Sequence, residues 1–523
     1  MQNNKSMIPS HQTKVISLTL GFISLLILLR FVWVSDDAFI TLRTIDNWVN
    51  GFGLTWNISE RVQSYTHPLW MFLLSIIYFL VRDGYFALII ASLSISFIVI
   101  RVYVRQFLGY PLLMFAGWGI LMLSKAFLDY SSSGLENPLT HLLFILFIIV
   151  VLGEKNDFFT VCLIAGLSTT NRMDSILFFI PTIGYLFWTK NRSIRGFFLL
   201  IAGFAPFILW ELFSVFYYGF PYPNTAYAKL NSGIPNVLLF KQGVLYYSNS
   251  LKWDPITLLT ITLSIGLAFV RGEAKAKLIT LGIVLYGAYV IYIGGDFMSG
   301  RFFSAIFVAA SYLLLKLIQP IKQKYQLIFI ILLICTGLGN YKNLQYFNIS
   351  PVNLQDYSSS QFIDDQSLIS DERMYYFQAT SIFSIDKSLK MPKHAWADRG
   401  LAYNLEGTPI VIEDTVGMMG FFAGPKVHII DINALCDPFL ARLKMNAENW
   451  RIGHFMRDLP NGYYETIRTQ KNRIEDPNLS EYYEKLDFII SGQLFSRKRL
   501  VAIWEMNTGQ YNYLLEEYYD QAQ

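Results

Sequence analysis

The fold of this chain is decided first by residues 15–43, VISLTLGFISLLILLRFVWVSDDAFITLR. The mostly apolar run from Val15 to Val34 holds about 20 residues, enough to cross a hydrocarbon core about 30 Å thick. Two adjacent carboxylates, Asp36 and Asp37, follow it almost directly. A cleaved signal peptide has a shorter apolar stretch followed by small residues. The pattern therefore predicts a retained membrane helix that ends at a pair of anions.

The composition of the whole chain agrees with a membrane protein. Of 523 residues, 53% are hydrophobic and 15% charged, whereas soluble proteins have roughly 45 to 50% apolar and about 25% charged residues. The net charge is only +4 and no Lys/Arg block occurs, which excludes nucleic acid as a partner. The three cysteines are far apart, so they form neither a disulfide framework nor a metal quartet. The expected class is a polytopic α-helical protein that has the lipid bilayer as a partner.

Charge and parity predict how often the chain crosses the membrane. Eleven further apolar segments span residues 68–81, 84–101, 110–128, 138–153, 157–170, 174–189, 196–217, 255–270, 276–293, 302–318 and 325–339. Cytoplasmic loops carry the Lys/Arg excess, which places the basic connectors at 190–195, 271–277 and 316–324 inside. An even number of crossings must then join His67 to Ser133, so one of the three segments between them does not cross. The prediction is about 11 transmembrane helices.

The same count divides the chain into two expected domains. Residues 1–340 form a transmembrane domain whose first external loop is 35–67, and residues 341–523 form an extracytoplasmic domain. Three short apolar runs in that second part, at 408–414, 426–432 and 485–491, are typical of strands. Because helical patterns lie between them, we expect a mixed α/β domain.

Ionisable residues at or near membrane depth are costly, about 2.5 to 3.5 kcal/mol each at a helix centre, so they are functional candidates by default. Several collect on the predicted outer face, together with neighbouring polar residues of the first loop and one histidine of the outer domain. The candidate site residues are Asp36, Asp37, Glu60, Arg61, Tyr65, Thr66, His67, Arg172, Asp174, Asp296, Arg301 and His454.

Each candidate also has a purely structural interpretation. The aspartates can cap the helix that follows them, His67 can begin the helix at Pro68, and His454 can be a core residue. The remaining charges can form ion pairs that only support the fold, in the pairings Glu60 with Arg61, Arg172 with Asp174 and Asp296 with Arg301. Their collection on one face favours a site over these separate explanations.

The chemistry suited to such a face is transfer from an anionic lipid carrier to a hydroxyl acceptor. A carboxylate that takes the acceptor proton contributes roughly 10² to 10⁴ in rate, and arginines or a bound divalent cation stabilise the departing phosphate. Adjacent side chains diverge, so we expect unequal roles, with Asp36 preferred as base and Asp37 as the orienting or cation-holding group. No nucleotide-binding signature is present, so no nucleotide cofactor is expected. A transporter or flippase of a lipid-linked saccharide, and an external acyltransferase or phosphotransferase, are the competing hypotheses.

A family resemblance supports the first hypothesis. The stretches DDAFITLR (36–43) and NGFGLTWNISERVQSYTHPLW (50–70) resemble the first external loop of the terminal beta-(1→2) arabinofuranosyltransferases of actinobacterial cell-wall arabinan. Further similar stretches are SSSGLENPL (131–139), TTNRMDS (169–175), GGDFMSGRFF (294–303), DTVGMMGFF (414–422), IIDINALCDP (429–438) and residues 451–465.

The resemblance implies a type C glycosyltransferase (GT-C) fold in the inner membrane. It implies a polyprenyl-phosphate sugar donor, and a glycan, lipid or protein acceptor on the extracytoplasmic side. Asp36 or Asp37 becomes the catalytic carboxylate, residues 60–67 line the donor site and residues 296–301 form part of the cavity wall. Met173 and Ser299 depart from the residues that such proteins often have there, Pro and His, so the sugar and the acceptor stay open.

Overall fold

The computed structural model describes residues 11–154, 157–230, 232–339, 363, 367–385, 390–446 and 450–521. The domain boundary expected at 340/341 lies outside the described residues. In the first part of the chain the helices are α1 (His11–Phe31), α2 (Asp36–Val49), α3 (Pro68–Val81), α4 (Gly84–Arg105), α5 (Pro111–Leu123), α6 (Lys125–Tyr130), α7 (Asn137–Leu152), α8 (Phe158–Asn171), α9 (Ile176–Lys190), α10 (Ile194–Gly203), α11 (Ala205–Tyr217) and α12 (Asn224–Leu230).

In the second part of the chain, the described residues form helices and two strands. In order these are α13 (Asn236–Trp253), α14 (Pro255–Arg271), α15 (Ala274–Tyr292), α16 (Arg301–Ile318), α17 (Gln323–Gly339), α18 (Glu372–Thr380), α19 (Ala395–Glu406), β1 (Ile410–Glu413), α20 (Met418–Ala423), β2 (His428–Asp431), α21 (Tyr463–Thr469), α22 (Pro477–Ile490), α23 (Arg497–Asn507) and α24 (Asn512–Gln521). Short 3-10 turns occur at Met173–Ser175, Ile382–Ser384 and Leu440–Arg442.

Every apolar segment predicted from the sequence contains a helix. By length and composition, α1, α4, α15 and α16 can each cross a membrane. Among the described residues, the number of candidate spans rises from four to six if two bent pairs, α10 with α11 and α13 with α14, each count as one span. Five shorter helices, α3, α5, α7, α8 and α17, are also apolar. The chain is thus a helical membrane protein, while the count of about 11 crossings stays a prediction.

Contacts divide the chain into two compact units. The first unit consists of Met1–Ser35, Tyr85–Pro206 and Asn236–Met391. Within it α16 packs against α7, α14 and α15. Of the 18-residue apolar stretch of each helix, 83% is buried in α16 and 33% in α1. The exposed residues Leu18, Phe22 and Leu26 of α1 recur every four positions and form one stripe. An apolar stripe of this kind on a membrane helix faces lipid.

The second unit consists of Asp36–Gly84, Phe207–Pro235 and Pro392–Gln523. Strand β1 pairs in parallel with β2, in the register Ile410–His428 to Glu413–Asp431, and α20 lies between them in the chain. Trp56 from the first loop and Ile40 from α2 belong to the same buried core as Ile429 of β2. The loop predicted to be catalytic is therefore built into the unit that holds the C-terminal strands.

Two of the three predicted strands are correct, and the third is wrong. Residues 408–414 and 426–432 contain β1 and β2, but 485–491 lie almost entirely in α22. Asp476 caps this helix by accepting from the backbone N–H of Leu479 at 2.9 Å, and Pro477 occupies its first turn. Both are strong helix-start signals. Residues 488–490 are consecutive apolar residues and for that reason resemble a strand. Ile489 and Ile490 belong instead to the buried side of the helix, together with Leu479, Tyr482 and Leu486.

Candidate functional site

Asp36 stands at the first position of α2, and both oxygens of its carboxylate are occupied. Oδ1 accepts the backbone N–H of Met418 at 2.7 Å, and Oδ2 accepts that of Gly417 at 3.2 Å. These donors belong to the start of α20, so Asp36 caps a helix other than its own. Its side chain is buried, and burial raises the pKa to about 7, opposed by the hydrogen bond from Met418 and helped by the charge of Asp37. Both carboxylate oxygens of Asp36 are therefore engaged by the backbone at the start of α20.

Gly417 is required for this contact because a Cβ placed there would collide with the backbone oxygen and the carboxylate of Asp36. We expect Gly417→Ala to push Asp36 away and to destabilise the protein by about 1 to 3 kcal/mol, the usual cost of overpacking. A thermal melt of the purified protein measures the loss. The matched control is Gly184→Ala in α9, where an added Cβ meets no atom within 4 Å. Equal melting temperatures for the two variants would contradict the prediction.

Asp37 is only partly buried, unlike its neighbour. Thr41 lies four residues further along α2, on the same face, since residues at i and i+4 are neighbours on a helix surface. The Thr41 hydroxyl lies 2.8 Å from Nε2 of His67. Through its contact with Thr41, His67 therefore lies on the side of α2 that carries Asp37. Two of the candidates predicted from the sequence thus meet on one side of this helix.

His67 occupies the N-cap position of α3, but its side chain makes no capping hydrogen bond there. Instead, Nδ1 lies 3.3 Å from the hydroxyl of Thr66, while Nε2 faces Thr41. Tyr65 has a different partner, since its hydroxyl lies 2.8 Å from that of Tyr218 in a buried pair. His67 is thus a first-loop candidate whose side chain contacts α2.

Glu60 and Arg61 have separate partners. Oε1 of Glu60 accepts from Nδ2 of Asn57 at 2.9 Å. Arg61 donates its backbone N–H to Ile490 at 2.9 Å and its guanidinium to the carbonyl of Gly492, at the C-terminal end of α22. A cation at a helix C-terminus is favourable because the last carbonyls carry partial negative charge. Arg61 therefore stabilises a helix end, and the expected Glu60–Arg61 ion pair is not formed among the described contacts.

Glu60→Gln is expected to stabilise the protein more at pH 8 than at pH 5. Burial raises the pKa of Glu60 from 4.5 to about 8, Asp437 adds to the rise and the bond from Asn57 opposes it. Between these two values the folded state keeps the proton while the unfolded state loses it, so stability falls as the pH rises through this window. Glutamine cannot ionise and removes that dependence.

Melting temperatures of the wild type and the Glu60→Gln variant at pH 5 and pH 8 measure this effect. The control is Glu465→Gln, since the Glu465 side chain is 46% exposed. A difference between wild type and Glu60→Gln that is the same at both pH values would contradict the assignment.

A shallow cleft of about 240 Å³, partly open to solvent, lies beside this segment. Its lining includes Arg61 and Arg442. The Arg442 guanidinium lies 4.2 Å over the ring of Phe220 and 4.6 Å over that of Tyr227, and it donates to Oδ1 of Asn224 at 3.0 Å. The Arg442 guanidinium also donates to the carbonyl of Pro438 at 2.7 Å, so both guanidiniums have partners within this unit.

His454 lies in a turn in which its backbone N–H donates to Arg451 at 2.8 Å. Burial lowers the pKa of its imidazole to about 3, and the positive charges of Arg451 and Lys229 lower it further. The ring is therefore neutral at physiological pH. The geometry fits the core interpretation at least as well as a substrate contact.

The four remaining candidates form one charge network in the first unit. Arg172 donates through Nε to Asp174 at 3.0 Å and through Nη1 to Glu136 at 2.6 Å. Arg301 lies 3.4 Å from the same Glu136 and 3.5 Å from Asp296. Both predicted pairs exist, and the fully buried Glu136 links them. Three carboxylates face two guanidiniums, so both cations already have anionic partners and this network does not by itself attract phosphate.

Sequence reasoning missed Arg43 in α2. The guanidinium is 4.5 Å over the ring of Trp56 and donates to the carbonyls of Trp56 at 2.8 Å, Val427 at 2.7 Å and Gly420. It thus fastens α2 to the first loop and to the segment around α20. The sequence feature that could have identified Arg43 is its position as a charged residue among Phe39, Leu42 and other apolar residues of an amphipathic helix.

Within the described ranges, no three His, Cys, Asp or Glu side chains lie close enough together to hold a metal ion. The divalent cation considered from the sequence therefore remains a prediction. A donor phosphate or a substrate hydroxyl would have to complete such a site.

These features define the class of protein: it is a helical membrane protein with a carboxylate pair at the start of α2. The chain resembles two proteins named terminal beta-(1->2)-arabinofuranosyltransferase. The one from Mycobacterium tuberculosis is 27% identical over 317 residues, covering 51% of this chain and 50% of that protein. The one from Corynebacterium glutamicum is 27% identical over 318 residues, covering 51% of this chain and 46% of that protein.

The resemblance expected from the sequence motifs is thereby confirmed. This chain spans about half the length of the curated relatives it matches. No family model matches it, and no solved structure does.

Proposed function

We propose that this protein is a membrane glycosyltransferase that transfers a sugar, arabinofuranose, from a polyprenyl-phosphate donor to a hydroxyl of a glycan acceptor. The observation that carries the proposal is the carboxylate pair at the start of α2, in a chain that resembles two arabinofuranosyltransferases over about half its length. The GT-C fold and the dependence on a polyprenyl phosphate are parts of this proposal.

Asp37 is the general base in this scheme, and Asp36 positions it. The partial exposure of Asp37 and the two backbone donors on Asp36 support this division, which reverses the preference drawn from the sequence. Asp37 takes the proton of the acceptor hydroxyl as its oxygen bonds to the anomeric carbon. The bond from that carbon to the phosphate oxygen breaks, and polyprenyl phosphate leaves with the electron pair.

Neighbouring polar groups hold the first loop beside Asp37. Thr41 and His67 lie on the Asp37 side of α2, both are buried, and the contact of 2.8 Å between their side chains joins the first loop to this helix. A bound divalent cation would neutralise the departing phosphate.

The test uses the purified full-length chain in lipid nanodiscs with synthetic polyprenyl-phosphate arabinofuranose and, separately, polyprenyl-phosphate hexoses. With an arabinan acceptor, mass spectrometry should show the arabinofuranose donor consumed, polyprenyl phosphate released and the acceptor one pentose heavier. A parallel reaction with chelator tests the cation. Transfer of a hexose alone would refute the choice of sugar, and movement of unchanged donor across the bilayer would favour a transporter.

The proposed location is the inner membrane, with the site and the C-terminal segment on the extracytoplasmic side. A topology reporter fused to the C-terminus should be extracytoplasmic, and one fused after Lys275, in a basic connector, should be cytoplasmic. Alkaline phosphatase and fluorescent protein fusions report the two sides. The reverse result at either position would overturn this location.

A further inference from the structure

Helix α23 has an exposed apolar face with no partner in the described part of the chain. Arg499, Ala502, Ile503 and Met506 are buried, whereas Leu500, Val501 and Trp504 are 45%, 44% and 68% exposed. Trp504 lies four residues after Leu500 and three after Val501, so these three residues share one side of the helix. They are here called the apolar face of α23. Just before the helix, Phe495 is 83% exposed. Exposed apolar patches of this kind mark interaction surfaces.

The helix is fixed to the end of an apolar helix. Arg499 donates to the carbonyls of Phe216 at 2.7 Å and Tyr217 at 2.8 Å, the last residues of α11. Asn507 donates to Gly219 at 2.7 Å, just beyond that end. These three hydrogen bonds hold α23 beside the C-terminus of α11.

The apolar surface of α11 continues into this region. Leu209 and Leu212 are 65% and 64% exposed, and with Phe216 they lie at i, i+3 and i+7, on one side of the helix. Helices α10 and α11 together are apolar enough to be one membrane span, and in such a span we expect this stripe to face lipid. The ring of Phe216 lies 5.3 Å from that of Phe495. The lipid-facing stripe therefore ends at the segment that begins α23.

The charges beside this face fit one kind of partner. Arg497 and Lys498 are exposed in the first turn of α23, where they attract anionic headgroups. Trp504 is the residue type that prefers the membrane interface. Eleven residues extend only about 16 Å as a helix, too short to cross the bilayer and suited to lying in its plane.

We propose that α23 lies on the bilayer surface, with its apolar face in the boundary between headgroups and acyl chains and its two basic residues on anionic lipid. This contact is separate from the spans and does not depend on the proposed enzymatic activity. It holds the second unit at the membrane surface through its own C-terminal part.

The experiment places an environment-sensitive fluorophore on a Val501→Cys variant of the full-length chain in nanodiscs. The background carries Cys335→Ser, because Cys335 is the exposed one of the three cysteines, the others being buried. Arg468→Cys in α21, whose native side chain is 58% exposed, is the matched control position. Both substitutions replace exposed residues and should leave the fold intact.

Spin-labelled lipids should quench the probe at position 501 about threefold more than the probe at 468, since an interfacial helix buries its apolar face about 5 to 10 Å deep. Omitting phosphatidylglycerol, or combining Arg497→Gln with Lys498→Gln, should weaken that quenching. Equal quenching at both positions would overturn the proposal. So would shielding of position 501 from iodide without quenching by lipid, because it would show that protein covers the face. Quenching that is independent of the anionic lipid would refute the role of the two basic residues.

Discussion

Asp37→Asn is expected to lower turnover by about two orders of magnitude or more, because it removes the group that takes the acceptor proton. The substitution keeps the side-chain volume, so donor binding and the melting temperature should stay near the wild-type values. Steady-state transfer from polyprenyl-phosphate arabinofuranose, with donor affinity measured separately, separates the two effects. Asp520→Asn, at an exposed position in α24, is the control and should retain full activity.

Asp36→Asn should behave differently from Asp37→Asn. An amide offers one acceptor oxygen in place of two, so one of the backbone N–H groups of Gly417 and Met418 loses its partner. An unsatisfied buried donor costs about 1 to 3 kcal/mol, which should appear as a lower melting temperature. A large loss of turnover in Asp36→Asn with normal stability, together with an active Asp37→Asn, would restore Asp36 as the base. Near-normal turnover in both variants would refute the mechanism.

Arg43→Ala should be the most destabilising single change in the second unit. The buried guanidinium serves three backbone carbonyls and stacks on Trp56. Its removal leaves acceptors without a donor and opens space under the indole, for a combined loss of about 3 kcal/mol or more. Thermal melts and limited proteolysis of the purified chain measure the effect, and cleavage should appear first near Trp56 and Val427.

Arg43→Lys should be intermediate, because an ammonium group keeps the charge but not the planar fork of donors. The control is Arg468→Ala, which breaks only the exposed pair with Glu465 and should cost less than about 1 kcal/mol. A melting temperature of Arg43→Ala close to that of the control would show that α2 is held by apolar packing alone.

Features that depend on neighbouring residues were predictable from the sequence. Each apolar run contains a helix, because a helix satisfies the backbone hydrogen bonds within its own segment, as apolar surroundings require. The pairs Arg172 with Asp174 and Asp296 with Arg301 were recognisable because each pair is separated by only a few residues. The resemblance to the arabinofuranosyltransferases followed from short motifs in the same way. The strand error at 485–491 shows the limit of this local evidence, since a few consecutive apolar residues fit either structure.

What the sequence by itself determined about this protein is therefore its membrane class, its helices and the carboxylate pair at the start of α2. Only the tertiary structure decided what those carboxylates do. Asp36 meets Gly417 from 381 residues away, and Arg43 reaches Val427 from 384 residues away. Local spacing predicts the face on which a side chain lies, but its partner depends on which distant segment packs against that face. For this reason, the occupied oxygens of Asp36, the partial exposure of Asp37 and the separation of Glu60 from Arg61 became visible only in the folded chain.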